Sequence, residues 1–346
     1  MRTTIDDRDA VISLEEEGSG TTRIVVEMKD PGAYSPRLHW DTECPPELIK
    51  AVLEVKGAAW LCDEIARDED PLYVRSDLMM SLLSYVKEND FDGKLVLDFG
   101  CGSGASTVII ARMFPRCRVL GVELDERFLE LARLRSQHYR LDNVDLLRSP
   151  SADRIPEQAL RVDFILLSAV WEHLMPAERP LLLLQMWESL TMQGVLFVNQ
   201  TPDARFPIEA HTTGLPLLNY LPDCVALRCA HGFSKRVSPT TPWASLLRMG
   251  IRGGTPGEIL GILSQSPYSP VLLQPKAHGI TRQSDIYYRS AQSRLQQRYR
   301  GVKRACIVGA VELAPTLGIP IAPYVSLAIG KSRGVSDQDT KHRNDL

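Results

Sequence analysis

The sequence predicts an α/β fold, in which helices cover both faces of a mostly parallel, doubly wound sheet. Three observations support this prediction. Apolar runs of strand length recur through the middle of the chain, segments with helical spacing separate them, and the first run leads directly into a glycine-rich turn and a helix. This alternation, which begins at residues 95–97, is typical of βαβ units, where a crossover helix connects parallel strands.

The glycine-rich turn is the most informative stretch of the chain. It has the sequence Asp-Phe-Gly-Cys-Gly-Ser-Gly over residues 98–104, between the strand at 95–97 and a helix predicted over 105–113. Because glycine has no Cβ, the chain can turn sharply there, and a ligand can lie against main-chain N–H groups at the start of the helix. We therefore expect a nucleotide-like ligand at this turn.

The residues around the glycines bear on which nucleotide binds. Gly100, Gly102 and Ala105 also fit a GxGxxA dinucleotide fingerprint, so an NAD-dependent oxidoreductase is one alternative. Asp98 and the additional Gly104 argue against it. A carboxylate at Asp98 would face a pyrophosphate unfavourably, whereas it could hold an α-ammonium group through a charge-assisted hydrogen bond or through a water. The turn therefore favours an amino-acid nucleoside.

A second acid lies where a ribose-binding group is expected. Glu123 ends the next predicted strand, 118–122, about twenty residues beyond the glycine turn, which is the spacing of the ribose acid in nucleotide-binding βαβ units. The alternative is that Glu123 only favours the N-terminus of a helix predicted over 125–135. The glycine turn upstream favours the ribose role.

Five further strands complete the predicted sheet. Three follow in the same alternating pattern, at residues 145–148, 162–168 and 194–199, and two more, 271–273 and 324–329, are expected to close the sheet as an antiparallel pair. Before the first strand, the pattern from residue 47 is helical, so we predict an N-terminal helical extension that covers part of the site.

Taken together, these motifs resemble the cofactor region of class I S-adenosylmethionine methyltransferases, whose pattern is an acid followed by GxGxG. The resemblance implies a Rossmann-like, seven-stranded sheet with S-adenosylmethionine as the cofactor. It implies cofactor contacts from these residues: Asp98, Gly100, Cys101, Gly102, Gly104, Glu123, Leu124, Ser151, Ala152 and Ser168. One position departs from the family pattern. Ser151 stands where the family usually has an acid facing adenine, and a neutral hydroxyl accepts a hydrogen bond more weakly.

Candidate catalytic residues follow the fourth and fifth strands, where open α/β sheets place substrate-binding groups. The family has an E-H pair similar to Glu172-His173 near the transferred methyl, and the proline-rich segment 205–222 contains Glu209 and His211. A base is needed only where the acceptor must lose a proton. His211 is the first candidate and His173 the second, with Glu209 beside them; bracing of the loop is the alternative for Glu209 and His211.

The net charge and the cysteine content limit the classes of partner and cofactor that we expect. A formal charge of −3 over 346 residues gives no electrostatic case for nucleic-acid binding. Seven scattered cysteines without a C-x-x-C pair indicate a reducing compartment, and no cluster demands a metal; the irregular spacing of Cys224, Cys229 and His231 is a poor match to zinc. Residues 1–17 are acidic and lack an apolar run, so no signal peptide is expected and the prediction is a cytoplasmic protein.

The chain divides into three predicted segments, the second of which contains an insertion. Residues 1–46 are predicted as a polar, partly flexible leader, 47–330 as the methyltransferase domain, 276–322 as a helical insertion between its last two strands, and 331–346 as a disordered tail. The insertion is basic at first and then apolar, so peripheral contact of 289–323 with an anionic membrane is one hypothesis. Packing of this segment on the sheet is the favoured alternative.

The resulting hypothesis is methyl transfer from S-adenosylmethionine to a small-molecule, sugar or lipid-linked acceptor. The segment 205–222 resembles one in bacterial small-molecule and glycan or lipid-linked methyltransferases of this class. A non-catalytic S-adenosylmethionine-binding regulator or scaffold remains an alternative. The intact acid, glycines and Glu123 favour an enzyme.

Overall fold

A computed structural model describes residues 2–18, 20–280, 282–287, 289, 320 and 322–333 of the chain. These residues contain two sheets. The first is antiparallel, with strands in the order β1-β2-β3-β4. Its strands are β1 (Arg2–Asp6), β2 (Ala10–Glu16), β3 (Thr22–Met28) and β4 (His39–Thr42).

The second sheet has seven strands in the order β10-β11-β9-β8-β5-β6-β7. Its strands are β5 (Leu95–Phe99), β6 (Arg118–Glu123), β7 (Val144–Arg148), β8 (Val162–Ser168), β9 (Leu190–Pro202), β10 (Tyr268–Leu272) and β11 (Tyr324–Arg333). Strands β5 to β9 are parallel, while β10 and β11 pair antiparallel, as predicted. The chain moves outward from β5 on both sides, so the strand order reverses there. Such a switch point is where doubly wound sheets bind ligands.

Nine α-helices have complete bounds in the described part of the chain, where residues 283–287 are also helical. They are α1 (Pro46–Lys56), α2 (Leu61–Glu69), α3 (Val74–Leu83), α4 (Ala105–Met113), α5 (Glu126–His138), α6 (Glu178–Ser189), α7 (Asp223–Phe233), α8 (Trp243–Arg248) and α9 (Pro256–Leu263). None of the helices in these residues has the length and apolar character needed to cross a bilayer.

The core lies on both faces of the large sheet because its central strands are apolar at nearly every position. In β8, Ile165 and Leu167 belong to the cluster under α6 and α9, whereas Phe164 and Leu166 belong to the cluster under α3 and α4. Successive side chains of a strand point to opposite faces. The continuous apolar run therefore buries both faces and leaves the carboxyl edge of the sheet to carry the site.

The N-terminal segment differs from the prediction. Residues 1–46 were expected to be a polar, partly flexible leader, but 2–42 form the four-stranded sheet. Ile12 and Ile24 are fully buried on its inner face and belong to one cluster with Leu48 of α1, Leu61 of α2 and Leu131 of α5. Only every second residue of these strands is buried, so their composition resembles that of a polar loop.

The C-terminal end also corrects one boundary. The predicted disordered tail is wrong for residues 331–333, which belong to β11. The buried ammonium of Lys331 donates to the carbonyls of Trp187 (2.6 Å) and Leu190 (2.7 Å). Most of the predicted insertion 276–322, including most of the membrane-contact segment 289–323, lies outside the described residues, as does the tail from 334 onward. Those predictions stay predictions.

Candidate functional site

A cavity of about 980 Å³ opens at the carboxyl edge of the large sheet, beside the switch point at β5. Most of the predicted cofactor residues line it: Gly100, Cys101, Gly102, Glu123, Leu124, Ser151, Ala152 and Ser168. They come from four segments that are separate in sequence, namely the glycine turn, the end of β6, the loop after β7 and the end of β8. Asp98 and Gly104 are the two predicted cofactor residues that do not line this cavity.

The glycines of the turn do different things. Gly102 has a left-handed φ of +55°, and a Cβ there would meet nothing within 4 Å, so its face is open. Gly104, with a φ of +84°, is tightly packed, because a Cβ there would lie 2.6 Å from the Cβ of Ala132 in α5. Gly102 therefore leaves room for a ligand against the main chain, while Gly104 lets α4 and α5 approach closely.

Asp98 is close to the cavity but does not face it. Its carboxyl group is 1% exposed, and Oδ2 accepts hydrogen bonds from the hydroxyls of Ser106 (2.7 Å) and Thr107 (2.6 Å) at the start of α4. Burial raises the pKa of this carboxyl. Asp98 itself does not line the cavity, so its predicted contact with an α-ammonium group, directly or through a water, stays a prediction. Ser106 lines the cavity and connects it to Asp98.

Glu123 is fixed against the glycine turn. One carboxylate oxygen accepts from the main-chain N–H of Gly102 (2.9 Å), and the other accepts from those of Leu124 (2.7 Å) and Asp125 (3.2 Å). A carboxylate offers about four lone-pair positions, so capacity remains for a ligand hydroxyl. The alternative of a purely helix-capping role does not hold, because the side chain of Asp125 caps α5 by accepting from the N–H of Arg127.

Ser151 is hydrogen-bonded to a nearby acid, Asp153. Its hydroxyl donates to Asp153 Oδ1 (2.6 Å), and this hydrogen bond lowers the pKa of the Asp153 carboxyl. Because the hydroxyl proton is directed at Asp153, the lone pairs of Ser151 Oγ remain free to accept. Ser151 lines the cavity as an acceptor, which is the character that an exocyclic adenine amine requires.

The other end of the cavity holds two histidines. The rings of His173 and His211 have centroids 5.4 Å apart, and both line the cavity. His173 Nδ1 lies 2.7 Å from the main-chain oxygen of Arg248. Since a carbonyl oxygen only accepts, Nδ1 carries the proton and Nε2 of a neutral ring has a free lone pair. Burial lowers the pKa of His211, and the neighbouring His173 lowers it further.

Glu209 does not lie with the two histidines at this end of the cavity. It is 3% exposed, and Oε1 accepts from the N–H groups of His211 (2.9 Å) and Thr212 (2.8 Å), while Oε2 accepts from the N–H and hydroxyl of Thr213. It does not line the cavity. A carboxylate held by four donors braces the loop and is not free to take a proton from an acceptor. We therefore remove Glu209 from the catalytic candidates.

Comparison with known proteins settles the class of the cofactor-binding region. Residues 97–196 match the family model described as a methyltransferase domain. Residues 97–196 thus form a methyltransferase domain, whose acid, glycine turn and Glu123 follow the class I, S-adenosylmethionine-dependent pattern. The matched span runs from the middle of β5 into β9, so it covers the glycine turn, Glu123 and Ser151.

The curated relatives match the same region. A trans-aconitate 2-methyltransferase of Methylobacterium radiotolerans is 36% identical over 110 residues, which cover 32% of this chain and 38% of the relative. An (S)-coclaurine N-methyltransferase of Thalictrum flavum is 34% identical over 108 residues, or 31% of this chain and 28% of the relative. This chain thus spans well under half the length of these relatives.

A solved structure is similar at lower identity. A SAM-dependent methyltransferase from Aquifex aeolicus is 21% identical to this chain, covers 43% of it and 81% of its own length, and superimposes with a TM-score of 0.31.

The residues of the methyltransferase domain fit S-adenosylmethionine. Gly102 leaves an open main-chain surface, Glu123 has acceptor capacity for ribose, and Ser151 presents acceptor lone pairs. The predicted departure at Ser151 therefore does not remove the acceptor at that position.

The N-terminal extension is joined to the glycine turn by buried charges. Glu64 of α2 accepts from the hydroxyl of Ser103 in the turn, pairs with Arg135 of α5 (3.0 Å) and with Lys56 of α1 (3.3 Å). Lys56 and Arg67 also line the cavity. Sequence reasoning expected helices over the cofactor but did not single out these cations, because nothing local marks a lysine or arginine on an amphipathic helix as cavity-facing.

Glu172 is the most important acceptor-end residue that sequence reasoning left out of the site. It is 1% exposed, burial raises its pKa to about 8, and Oε2 accepts from the hydroxyl of Thr201 (3.2 Å). Its Oε1 has no hydrogen-bond partner among the described residues and lies 3.9 Å from His173 Nε2. The adjacent pair Glu172-His173 could have indicated both residues, but only His173 was predicted as a catalytic candidate.

Two strained residues flank this end of the methyltransferase cavity. Ala169 (φ 55°) and Gln200 (φ 58°) follow β8 and lie near the end of β9, and both line the cavity. Left-handed backbone at non-glycine residues is concentrated at functional sites. Between them in the sheet, the buried Asn199 lines the cavity with an amide Nδ2 that has no partner among the described residues.

Proposed function

We propose that the protein transfers the methyl group of S-adenosylmethionine to a small-molecule acceptor bound at the His173–His211 end of the cavity. One observation carries this proposal. A single cavity is lined at one end by the cofactor residues Gly102, Glu123 and Ser151 and at the other by the two histidines. Both substrates of a direct methyl transfer must meet in one enclosed space.

The chain's own residues have separable roles toward the cofactor. When bound, the cofactor supplies a methyl group on a positively charged sulfur, so the methyl is electrophilic. Glu123 accepts hydrogen bonds from the ribose hydroxyls and Ser151 from the adenine amine. Ser106 binds the ammonium end through its hydroxyl, and Arg67 provides the cation for the carboxylate. The buried network of Glu64 holds the glycine turn against the N-terminal helices.

The acceptor end supplies lone pairs and a polar donor. His173 presents Nε2, and the lowered pKa of His211 keeps its ring neutral at physiological pH. Both groups contact the nucleophilic part of the acceptor. The unpartnered Nδ2 of Asn199 donates to an acceptor oxygen, which relieves the cost of leaving a buried donor unpaired.

The chemical class of the acceptor is a more specific proposal than methyl transfer itself. The relatives named above act, by their names, on the nitrogen of coclaurine and on trans-aconitate, which are both small molecules. These names support a small-molecule acceptor here. Sugar and lipid-linked acceptors remain within the proposal because the loop 205–222 forms part of the cavity wall at His211.

A transfer assay tests the proposal. The protein is incubated with S-adenosylmethionine carrying a labelled methyl group and with separate pools of phenols, carboxylic acids, amines, sugars and lipid-linked sugars. We expect label in one pool, with the mass gain of one methyl group, and a loss of this product in His211→Ala. Tight cofactor binding with no transfer to any pool would contradict the enzymatic proposal and favour a non-catalytic binding protein.

A further inference from the structure

We propose that Glu172, His173 and His211 form a binding site for a divalent transition-metal ion, with zinc as its simplest occupant. The inference deepens the proposed function, because it names what the acceptor end binds, and it rests on that function for its role in methyl transfer. Its binding test does not depend on the acceptor.

The three side chains converge. One ligand atom from each residue, a carboxylate oxygen and two imidazole nitrogens, lies within 4.8 Å of the other two. Zinc–ligand bonds of about 2.0–2.2 Å place neighbouring ligand atoms about 3–3.6 Å apart, so a small inward rotation of the side chains suffices. The two histidines line the cavity, and Glu172 lies behind them.

Among the described residues, no group outside the three donates a hydrogen bond to the converging atoms. Glu172 Oε1 is buried, has no hydrogen-bond partner among the described residues and lies 3.9 Å from His173 Nε2, which also carries a lone pair. No described residue donates a hydrogen bond to the ring of His211. Of these atoms, Glu172 Oε1 is the buried one that is left without a partner, and leaving a buried polar atom unsatisfied costs free energy. A cation at their centre satisfies all three.

The surroundings orient the three groups as metal ligands usually are oriented. His173 directs Nδ1–H at the carbonyl of Arg248, which fixes the tautomer with Nε2 available; ligating histidines almost always donate their other N–H in this way. On the opposite side, the loop at Gly250 packs closely against the side chains of His211 and Glu172. A Cβ at Gly250 would lie 2.7 Å from His211 Cδ2 and 3.0 Å from Glu172 Cγ. Only glycine permits this approach.

The donor set selects the kind of ion. Two imidazoles and one carboxylate are the ligands of catalytic zinc and of open iron(II) sites, whereas magnesium and calcium prefer oxygen ligands alone. Three protein ligands leave at least one coordination position open toward the cavity. An acceptor oxygen placed there is held beside the cofactor wall and is more acidic than in free solution.

A second cluster in the described residues provides a contrast. Cys44, Glu69 and His138 also bring ligand atoms together. There, however, the carboxylate of Glu69 already accepts from the indole N–H of Trp40 (2.6 Å) and the hydroxyl of Thr42 (2.6 Å). This cluster is satisfied without an ion. It carries no proposal and serves as the internal control.

Calorimetric titration of the chelator-treated full chain with zinc chloride tests the site. We expect one tight site in the wild type and at least about tenfold weaker zinc binding in Glu172→Gln and His211→Ala. Cys44→Ser and His231→Ala, which lie outside the group, should match the wild type. S-adenosylmethionine titrations on each variant verify that its cofactor end is folded. Magnesium chloride in place of zinc should give no comparable binding.

The outcomes separate this proposal from the proposed function. Unchanged zinc binding in both Glu172→Gln and His211→Ala, or its loss in Cys44→Ser, would overturn the site. Methyl transfer by a protein that binds no zinc would also overturn it and leave the histidines acting directly on the acceptor. Zinc binding lost in Glu172→Gln, without methyl transfer to any acceptor pool, would support the site while the proposed function failed.

Discussion

The two ends of the cavity are built from different groups. At the cofactor end, main-chain groups and a firmly held carboxylate make much of the wall: Glu123 accepts from three N–H donors, and Gly102 offers bare backbone. At the acceptor end, Glu172, His173 and His211 are titratable and incompletely paired. The first end is rigid and preorganised, while the second can change its charge or bind an ion.

Gly102→Val should produce the largest effect at the cofactor end. The new side chain enters the open space beside the turn, so we expect S-adenosylmethionine binding to weaken at least about a hundredfold, equivalent to about 2.7 kcal/mol. Calorimetry gives the affinity. Gly93→Val is the matched control, because Gly93 also has a positive φ (+68°) and open surroundings but lies outside the cavity. Both variants pay about 1–2 kcal/mol of backbone strain. Equal affinity losses in the two would refute the ligand role of Gly102.

His211→Ala should affect only the acceptor end. Turnover with the acceptor found by the transfer assay should fall about a hundredfold, the scale of losing one positioned proton-accepting or ligating group. The dissociation constant for S-adenosylmethionine should stay unchanged. His231→Ala, whose ring contacts the main-chain oxygen of Thr241 away from the cavity, is the control. An unchanged turnover would reduce His211 to a structural residue.

Glu123→Gln should weaken cofactor binding and so distinguish ribose contact from helix capping as the role of Glu123. The substitution removes the charge from the hydrogen bonds to ribose and turns one acceptor into a donor facing N–H groups, so we expect affinity to fall about tenfold or more. Asp125→Asn is the neighbouring control. It weakens the cap of α5 at a cost of under about 1 kcal/mol in stability, with little change in affinity. If the two variants lost affinity equally, helix integrity and not ribose contact would explain Glu123.

Glu172→Gln should have the smallest effect, on the pH dependence of stability. The pKa of Glu172 in the folded protein, about 8, exceeds its ordinary value of 4.5. Between these two pH values the folded protein holds a proton that the unfolded chain releases. The free energy of unfolding therefore falls as pH rises from about 4.5 to about 8. With chelator present, the decrease in Tm between about pH 6 and about pH 9 should be a few degrees smaller in Glu172→Gln. Glu188→Gln, at an exposed position, should behave like the wild type. Identical pH profiles for all three proteins would contradict the buried, proton-holding carboxyl.

The same contrast explains what the sequence made predictable. The cofactor end depends on local geometry: strand, glycine turn and helix are contiguous over 95–113, and Glu123 follows at a fixed spacing, so the sequence could predict that these residues meet at one cavity. Asp98 was placed on the cavity wall because the spacing gives the position of a residue and not the direction of its side chain. The structure directs that carboxyl to Ser106 and Thr107 instead.

The acceptor end could not be derived in the same way. Glu172, His211 and Gly250 come together only through tertiary packing. Glu209 and His211, two residues apart, looked equivalent in sequence, yet one braces the loop and the other lines the cavity. The N-terminal sheet was missed for a related reason, because half-buried strands such as β2 alternate apolar and polar residues and resemble a polar leader until their partner strands are known.

The central claim is that the glycine turn and Glu123 form an S-adenosylmethionine site. Its most direct measurement is calorimetric titration of the wild-type protein with S-adenosylmethionine, S-adenosylhomocysteine and NAD in parallel. The account predicts one-to-one binding of the first two and none of NAD, because Asp98 and the additional Gly104 depart from the dinucleotide-binding pattern. Binding of NAD alone would contradict the account and return the turn to a dehydrogenase fingerprint.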